Sequence, residues 1–193
     1  MKITAIQTYP VQVPIHPARA IRGGRGTHAT SPFLMLKVLT DEGVVGLGEV
    51  SCTPVWSGED NFTAAHFIDT LLAPQLIGED PTQIERLTIK MHKALAGNPF
   101  TRSGIEMALW DILGKVAGLP LYRLLGGAVR ESVTTKFSIS GQEPAKAAEI
   151  AAWAVEQGFR TMKVKVGIEP EGDVARVAAV RSAIGSHIGP GVD

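Results

Sequence analysis

Apolar and polar residues alternate along the first third of the chain, and this period of two predicts β-strands. Side chains of a strand point in turn to opposite faces, so the alternation gives each strand one apolar face and one polar face. We expect strands over residues 2–13, 33–39 and 44–50, with a tight turn joining the last two. Residues 16–31 are rich in Gly, Arg and Thr and are expected to form a long loop.

Apolar residues at helical spacing replace this alternation in the middle of the chain. They predict helices over residues 59–72, 80–96 and 99–117. Asp80 is a candidate N-cap of the second helix, because Pro81 follows it and proline is favoured at the first helical position.

Strand and helix patterns follow one another in the last third of the chain. The predicted elements are strands over 133–140 and 161–167 and helices over 144–157 and 172–184. This β-α-β-α order is typical of a parallel sheet with helical crossovers. We therefore predict an α+β domain over residues 1–125, followed by the opening of an α/β domain over residues 126–193.

The last six residues, 188–193, contain two glycines and a proline and are expected to be a loop leading to a third strand that the chain lacks. Two βα units leave the edges of a two-stranded sheet unpaired. We therefore expect the chain to be an incomplete part of a longer protein.

Composition narrows the class of protein. The 193 residues carry no net charge, with 19 basic and 19 acidic side chains, which argues against nucleic acid or an anionic membrane as a partner. No apolar run reaches the length of a membrane span, and no hydrophobic leader follows Met1. The single cysteine, Cys52, excludes an internal disulfide and is expected to be a small buried residue. These features predict a soluble cytoplasmic protein.

Lys163 and Lys165 are the strongest candidates for chemistry. They lie two residues apart in a predicted strand, so their side chains share one face, while Met162, Val164 and Val166 are apolar. Two ammonium groups this close disfavour each other's protonation, which suits a base that must take up a proton. A surface strand with two solvated lysines has the same spacing and is the alternative interpretation.

Three segments resemble the enolase superfamily, and they occur in the order of that family. Residues 104–127 resemble the end of its N-terminal capping domain, residues 41–49 resemble its β-hairpin, and residues 161–167 resemble its K-x-K motif. Residues 97–104 are most similar to the muconate lactonizing enzyme (muconate cycloisomerase) and mandelate racemase branch. The resemblance covers the whole chain and implies an α+β capping domain followed by the start of a modified (β/α) TIM barrel, truncated after two βα units.

The resemblance also implies an activity for the complete protein, that of an isomerase which moves a proton α to a carboxylate through an enediolate. Lys165 would be the acid and base, and Lys163 would be its electrostatic partner. Lactone-forming cycloisomerisation is the first expectation, and racemisation or epimerisation of an amino-acid derivative or dipeptide, or a dehydration, is the alternative. A non-catalytic oligomeric remnant is the alternative from another class.

The implied cofactor is Mg²⁺ or Mn²⁺, bound by carboxylates at the ends of barrel strands three, four and five. These ligands, and a second lysine on the opposite face of the substrate, are expected beyond Asp193. No metal ligand is therefore assigned, and the chain alone is expected to be inactive. Glu49 and Asp111 are interpreted as structural residues.

The resemblance places substrate recognition largely in two cap loops, residues 16–31 and 50–60. Val55 and Trp56 are expected to form an apolar wall over a small carboxylate substrate. Three arginines of the first loop are candidate partners for that carboxylate, with Arg25 as the assigned one: Arg19, Arg22 and Arg25. Ser140, on the predicted first barrel strand, is expected to lie at a suitable height for contact with the substrate. A homo-oligomer, either a dimer or an octamer, is also implied.

Overall fold

The computed structural model describes all 193 residues except the side chains of Arg19 and Pro190. The chain forms two compact units. One contains Met1–Val13 and Ser31–Val129, and the other contains Pro14–Thr30 and Arg130–Asp193. None of the helices in the described chain has the length and apolar character needed to cross a membrane.

The predicted strands and helices occur in the predicted order, and further short elements lie between and after them. The strands are β1 (Ile3–Pro14), β2 (Ile21–Gly23), β3 (Gly26–His28), β4 (Thr30–Thr40), β5 (Val45–Ser51), β6 (Phe137–Ile139), β7 (Thr161–Val164) and β8 (Gly189–Val192). The helices are α1 (Pro54–Ser57), α2 (Asn61–Phe67), α3 (Ala73–Leu76), α4 (Ile84–Ala94), α5 (Pro99–Ala117), α6 (Leu121–Leu124), α7 (Pro144–Glu156) and α8 (Pro170–Ile184). A 3₁₀ turn spans Pro17–Arg19, and a π-helical turn at Ile68–Leu72 joins α2 to α3.

The first unit is a three-stranded sheet, in the order β1-β4-β5, with helices packed on its apolar face. Strands β4 and β5 pair antiparallel, as the alternating pattern and the Asp41-Glu42-Gly43 turn predict. Leu34, Leu36 and Val38 of β4 are buried in the core. The strand predictions for this unit are confirmed.

Helix α5 lies directly on β5 because two glycines leave room for its backbone. A Cβ atom on Gly46 would stand 2.1 Å from the carbonyl oxygen of Ala108, and one on Gly48 would stand 2.0 Å from that of Gly104. Real Cβ atoms do not approach so closely, so the strand and the helix touch only because these side chains are absent. The bounds of α5 agree with the predicted residues 99–117.

The predicted helix over residues 80–96 was wrong at its start, since α4 begins at Ile84. Asp80 caps a preceding turn instead, where its Oδ1 accepts a hydrogen bond of 3.0 Å from the amide of Thr82. Asp80 therefore has the local geometry expected of it, but it stabilises a turn and not the helix.

Glu59 was placed at the start of a helix by its sequence pattern, and in the structure it caps a different helix. Glu59 is only 5% exposed. Its carboxylate accepts hydrogen bonds from Phe100 N at 3.0 Å, Thr101 N at 2.8 Å and Thr101 Oγ1 at 2.6 Å. Asn98, at the N-cap position of α5, makes no side-chain cap of its own. Glu59 thus satisfies the first free amides of the 19-residue helix α5.

Replacing Glu59 with alanine is expected to destabilise the protein by about 2–4 kcal/mol, because the buried amide of Thr101 and the partly buried amide of Phe100 would lose their acceptor. Urea unfolding of the Glu59→Ala variant measures this loss. Glu49→Ala is the matched control, since Glu49 is an exposed carboxylate on β5. Equal unfolding midpoints for the two variants would contradict the capping role.

The second unit is a parallel sheet in the order β6-β7-β8, with α7 and α8 packed on one face. Its buried core consists of alanine, valine, isoleucine and methionine side chains: Ile139, Ala147, Ala151, Ala154, Met162, Val164, Val180, Ile184 and Ile188. The predicted β-α-β-α order is confirmed, although β6 covers only three of the predicted strand residues.

Two predictions for this unit were wrong. Residues 188–193 are not a connecting loop, since Gly189–Val192 forms a third parallel strand that pairs with β7. Residues 16–31 are not without regular structure, since β2 and β3 form an antiparallel hairpin there. Both segments are rich in glycine, which is depleted in strands, and pairing with neighbouring backbone overrides this weak local preference.

Candidate functional site

The carboxyl ends of β6 and β7 present a polar face. Met162 and Val164 point into the core beneath α7 and α8. Lys163 and Lys165 alternate with them and therefore lie on the opposite face, where their side chains are only 25% and 24% exposed. The alternative of two freely solvated lysines does not describe this geometry.

Asp193 joins the two lysines. Its carboxylate oxygen Oδ2 lies 2.7 Å from Lys163 Nζ and also pairs with Lys165 Nζ, so both ammonium groups converge on one atom. Hydrogen bonds from Lys163 and Lys165, together with their positive charges, hold the pKa of Asp193 well below its ordinary value. The carboxylate therefore stays charged at neutral pH, and the stability it contributes is lost only as the pH falls through this lowered pKa.

Asp193 was expected to be the last residue of a loop, and the structure places it at the carboxyl end of the third parallel strand. Its amide donates to Val164 O, and its carbonyl accepts from Val166 N, each at 3.0 Å. These bonds extend the pairing of β7 with β8 by one residue. Asp193 thus has a fixed backbone position beside the lysine strand, although its side chain is 47% exposed.

The β2–β3 hairpin lies over the carboxyl ends of two strands. One is β6, which is followed by Ser140, and the other is β7, which leads to Lys165. The amide of Arg22 donates to Ser140 Oγ, and the amide of Gly141 donates to Arg22 O, both at 2.8 Å. A Cβ atom on Gly23 would make an ordinary contact, 3.7 Å from Lys165 Cδ. A Cβ atom on Gly24 would stand 2.6 Å from the carbonyl oxygen of Gly167. The hairpin therefore forms one wall beside Lys165.

Replacing Gly24 with alanine is expected to displace the hairpin, at a cost of about 1–3 kcal/mol, because the new methyl group would overlap a backbone oxygen. Limited trypsin digestion measures the displacement, since cleavage after Arg22 or Arg25 should become about tenfold faster. Gly23→Ala is the matched control, as its methyl group has room. The same cleavage rate in both variants would contradict this packing.

A cavity of about 230 Å³ opens between the hairpin and β6. Its lining combines two serines with apolar residues: Ala18, Ile21, Phe137, Ser138, Ser140 and Ile150. Ser138 is paired in register with Lys163, so the cavity borders the polar face of the sheet. Its size and mixed lining are suited to part of a small organic molecule.

The other predicted substrate contacts are distributed over both units. Ser140 is buried, and its hydroxyl group holds Arg22 of the hairpin. Arg25 is exposed in the turn between β2 and β3, and the side chain of Arg19 lies outside the described residues. Val55 and Trp56 are exposed on α1 of the first unit, where the Trp56 ring packs edge-on against Phe100 at 5.7 Å. Their contact with substrate stays a prediction.

The predicted structural residues have structural environments. Asp111 Oδ2 accepts a hydrogen bond of 2.8 Å from the amide of Leu47 and pairs with Lys115 at 2.7 Å, so it joins α5 to β5. Cys52 is buried, and burial raises the pKa of its thiol to about 11. A thiol with so high a pKa is a poor nucleophile at neutral pH, in agreement with its predicted packing role.

Comparison with known families and proteins gives consistent results. Residues 3–126 match the family described as mandelate racemase / muconate lactonizing enzyme, N-terminal domain. Residues 145–193 match the family described as enolase C-terminal domain-like. The predicted architecture, a capping domain followed by the start of a barrel, is confirmed.

Three relatives illustrate the range of activities. N-succinyl-L-Arg/Lys racemase of Bacillus cereus is 34% identical over all of this chain and 52% of its own length, and its crystal structure superposes with a TM-score of 0.95. A dipeptide epimerase from Cytophaga hutchinsonii, complexed with Mg and D-Ala-L-Val, is 32% identical over all of this chain and 52% of its own, with a TM-score of 0.92. A muconate lactonizing enzyme from Pseudomonas fluorescens, complexed with muconolactone, is 30% identical over the same shares, with a TM-score of 0.93. The chain spans about half the length of these relatives.

Proposed function

Because the chain belongs to the mandelate racemase/muconate lactonizing enzyme family of the enolase superfamily, we propose that the whole protein transfers a proton at the carbon α to a carboxylate. The observation that best supports this proposal is the convergence of Lys163, Lys165 and Asp193 at the carboxyl ends of adjacent parallel strands. Active sites of barrel enzymes lie at this end of the strands. The activity is proposed for the whole protein, of which this chain spans part.

In the proposed reaction, Lys165 takes the α-proton from the substrate or returns it. A positioned acid or base contributes about 10²–10⁴-fold to a rate. The α-proton of a carboxylate is a weak acid, so the enediolate that forms also needs positive charge nearby. Lys163 supplies such a charge, because its ammonium group and that of Lys165 converge on the same oxygen of Asp193.

A divalent metal ion is the cofactor that the family implies. Asp193 is suited to supply one ligand, because Mg²⁺ prefers carboxylate oxygens and this carboxylate lies at the end of the third strand. No group of three or more His, Cys, Asp or Glu side chains that could hold a metal occurs among the described residues. We propose that the remaining ligands lie outside this chain, and that the bound metal would supply further positive charge for the enediolate.

We propose an N-acylated amino acid or a dipeptide as the substrate, racemised or epimerised at its α-carbon. The similarity to the racemase and the dipeptide epimerase over the whole chain supports this class. Lactone-forming cycloisomerisation, the first expectation from the sequence, is the second candidate, supported by the similarity to the muconolactone-bound enzyme.

Proton exchange in heavy water tests the proposal and separates the candidates. The whole protein is incubated with Mg²⁺ and N-succinylarginine, Ala-Glu dipeptide or muconolactone, and loss of the α-proton signal is followed by NMR. Exchange with inversion of an amino-acid substrate supports the racemase class, and exchange or ring opening of muconolactone supports the cycloisomerase class. Absence of exchange with all three compounds would contradict the proposal for these substrates.

Removal of the metal is expected to abolish this exchange reversibly, since the enediolate would lose most of the positive charge that stabilises it. Activity is measured after dialysis against EDTA and again after addition of Mg²⁺ or Mn²⁺. Full activity in the dialysed protein, with metal absence verified by elemental analysis, would show that the chemistry does not require a metal ion.

A further inference from the structure

The hydrogen-bond ladder between β6 and β7 stops at Lys165. The amide of Lys165 donates to Ile139 O at 3.0 Å. In a continuing parallel ladder, the next two bonds would run from Gly141 N to Lys165 O and from Gly167 N to Gly141 O. Gly141 N instead donates to Arg22 O of the hairpin at 2.8 Å. The hairpin therefore takes over the end of β6, and Lys165 O and Gly167 N lack the partners that a continuing β6 strand would give them.

Two side chains of α8 take the places of these partners. Arg176 Nη1 donates to Lys165 O at 3.1 Å. Asp173 Oδ2 accepts from Gly167 N at 2.7 Å and from Ile168 N at 3.1 Å. On the side of β6, the carbonyl group of Lys165 and the amides of Gly167 and Ile168 are thus held by α8. On the side of β8, Val166 N keeps its bond to Asp193 O.

Arg176 and Asp173 are built rigidly into this position. Arg176 is only 5% exposed, and its guanidinium also donates to Gln142 O at 2.6 Å and to Asp173 Oδ1 at 2.5 Å. Burial raises the pKa of Asp173, but hydrogen bonds from Arg176 and the two amides outweigh this effect and keep it below its ordinary value. One guanidinium therefore ties the segments that follow β6 and β7 to each other.

We propose that Arg176 and Asp173 are positioning residues for Lys165. They replace the ladder bonds that the hairpin displaces, and they thereby fix the height of the lysine on its strand while the hairpin closes one side of the site. The proposal rests on the proposed function, in which Lys165 transfers the proton. It assigns to α8, on the far side of the sheet, an effect on catalysis that acts through the backbone of Lys165.

The stereochemistry of the proposed reaction distinguishes positioning from general stability. In racemisation, one group on each face of the α-carbon carries the proton, so Lys165 serves only one of the two enantiomers. A residue that positions Lys165 must slow proton exchange from that enantiomer alone. A residue that only stabilises the fold would slow exchange from both enantiomers equally, or from neither.

The experiment compares Arg176→Met with wild type and Lys165→Ala in the whole protein, using N-succinyl-L-arginine and N-succinyl-D-arginine in heavy water. Lys165→Ala identifies the enantiomer that depends on this lysine. Arg176→Met should lower kcat for the same enantiomer by about 10- to 100-fold, with KM changed less than about threefold, since a misplacement of 1 Å costs about 10²-fold. Exchange from the other enantiomer should change by less than about threefold. Equal effects on both enantiomers, or none, would overturn the proposal.

Arg181→Met is the matched control, because Arg181 lies on the same helix and also donates to main-chain oxygens, those of Gly185 and Ile188, both at 2.7 Å. It should leave the ratio of the two exchange rates unchanged. If Arg176→Met fails to fold, the isosteric Asp173→Asn variant decides the question, with the same enantiomer slowed by about tenfold.

Hydrogen–deuterium exchange of the backbone provides a readout that needs no turnover. Arg176→Met should accelerate amide exchange in the peptide over residues 161–168 by at least about tenfold, and Arg181→Met should not. Unchanged protection of this peptide would overturn the positioning role even if no substrate is turned over. If Arg176→Met accelerates amide exchange as expected but the wild-type protein turns over no substrate, the result would count against the proposed function alone.

Discussion

The Lys165→Ala variant of the whole protein is expected to lose α-proton exchange by at least about 10³-fold for one enantiomer of its substrate, toward the upper range for removal of a positioned acid or base. The physical reason is local. Lys165 lies on the polar face of the sheet, three-quarters buried and paired with Asp193, and its Cδ atom lies beneath the hairpin. Alanine would remove the amine but leave the strand, since the ladder and Arg176 hold only the backbone of this residue.

Lys146→Ala is the control for the loss of a lysine. Lys146 pairs with Glu149 at 2.6 Å on the surface of α7, where an exposed ion pair contributes little. Its replacement should change the exchange rate by less than about twofold, and circular dichroism should show the same fold for both variants. Exchange within tenfold of wild type in Lys165→Ala, from both enantiomers, would mean that another group carries the proton.

Alanine at Gly48 is expected to have the largest effect on stability, a loss of about 3 kcal/mol or more. Its methyl group would stand 2.0 Å from Gly104 O of α5 and 3.0 Å from Leu36 Cδ1, and the first of these is a backbone atom that cannot move alone. Either α5 or β5 must shift, and the apolar core between them would lose close packing. Since a whole domain is stable by only about 5–15 kcal/mol, the variant should unfold at clearly lower urea concentration.

Gly189→Ala provides the matched control, because Gly189 is also a strand glycine and nothing lies within 4 Å of a Cβ atom built on it. A methyl group there should change stability by no more than about 0.5 kcal/mol. Similar unfolding midpoints for the two alanine variants would show that α5 is not held against β5 by the glycine contacts.

Sequence reasoning succeeded where local signals and burial agree. Helix α5 was predicted with both ends because apolar residues repeat at helical spacing over residues 99–117. The lysine face was predicted because a period of two fixes which side chains share a side. Neither inference needed knowledge of distant parts of the chain.

The failures concern contacts between residues that are distant in sequence. Strand β8 was missed because Gly189-Pro190-Gly191 has the composition of a turn, and only the edge of β7 makes it a strand. Asp193 was consequently not recognised as the partner of both lysines, 30 and 28 residues away. Arg176 was missed because a charged residue on a helix is usually exposed, and only its i, i+3 spacing from Asp173 signalled a pair.

The β2–β3 hairpin is attached through main-chain atoms, and this attachment allows the side chain at position 22 to be replaced. The hairpin is bound through the main-chain N–H and C=O groups of Arg22 and through the bare backbone of Gly24. These bonds do not depend on which side chain occupies position 22, so that side chain can be exchanged without releasing the hairpin. The side chain at position 22, a predicted substrate contact, can therefore be replaced while the main-chain bonds keep the wall beside the lysine in place.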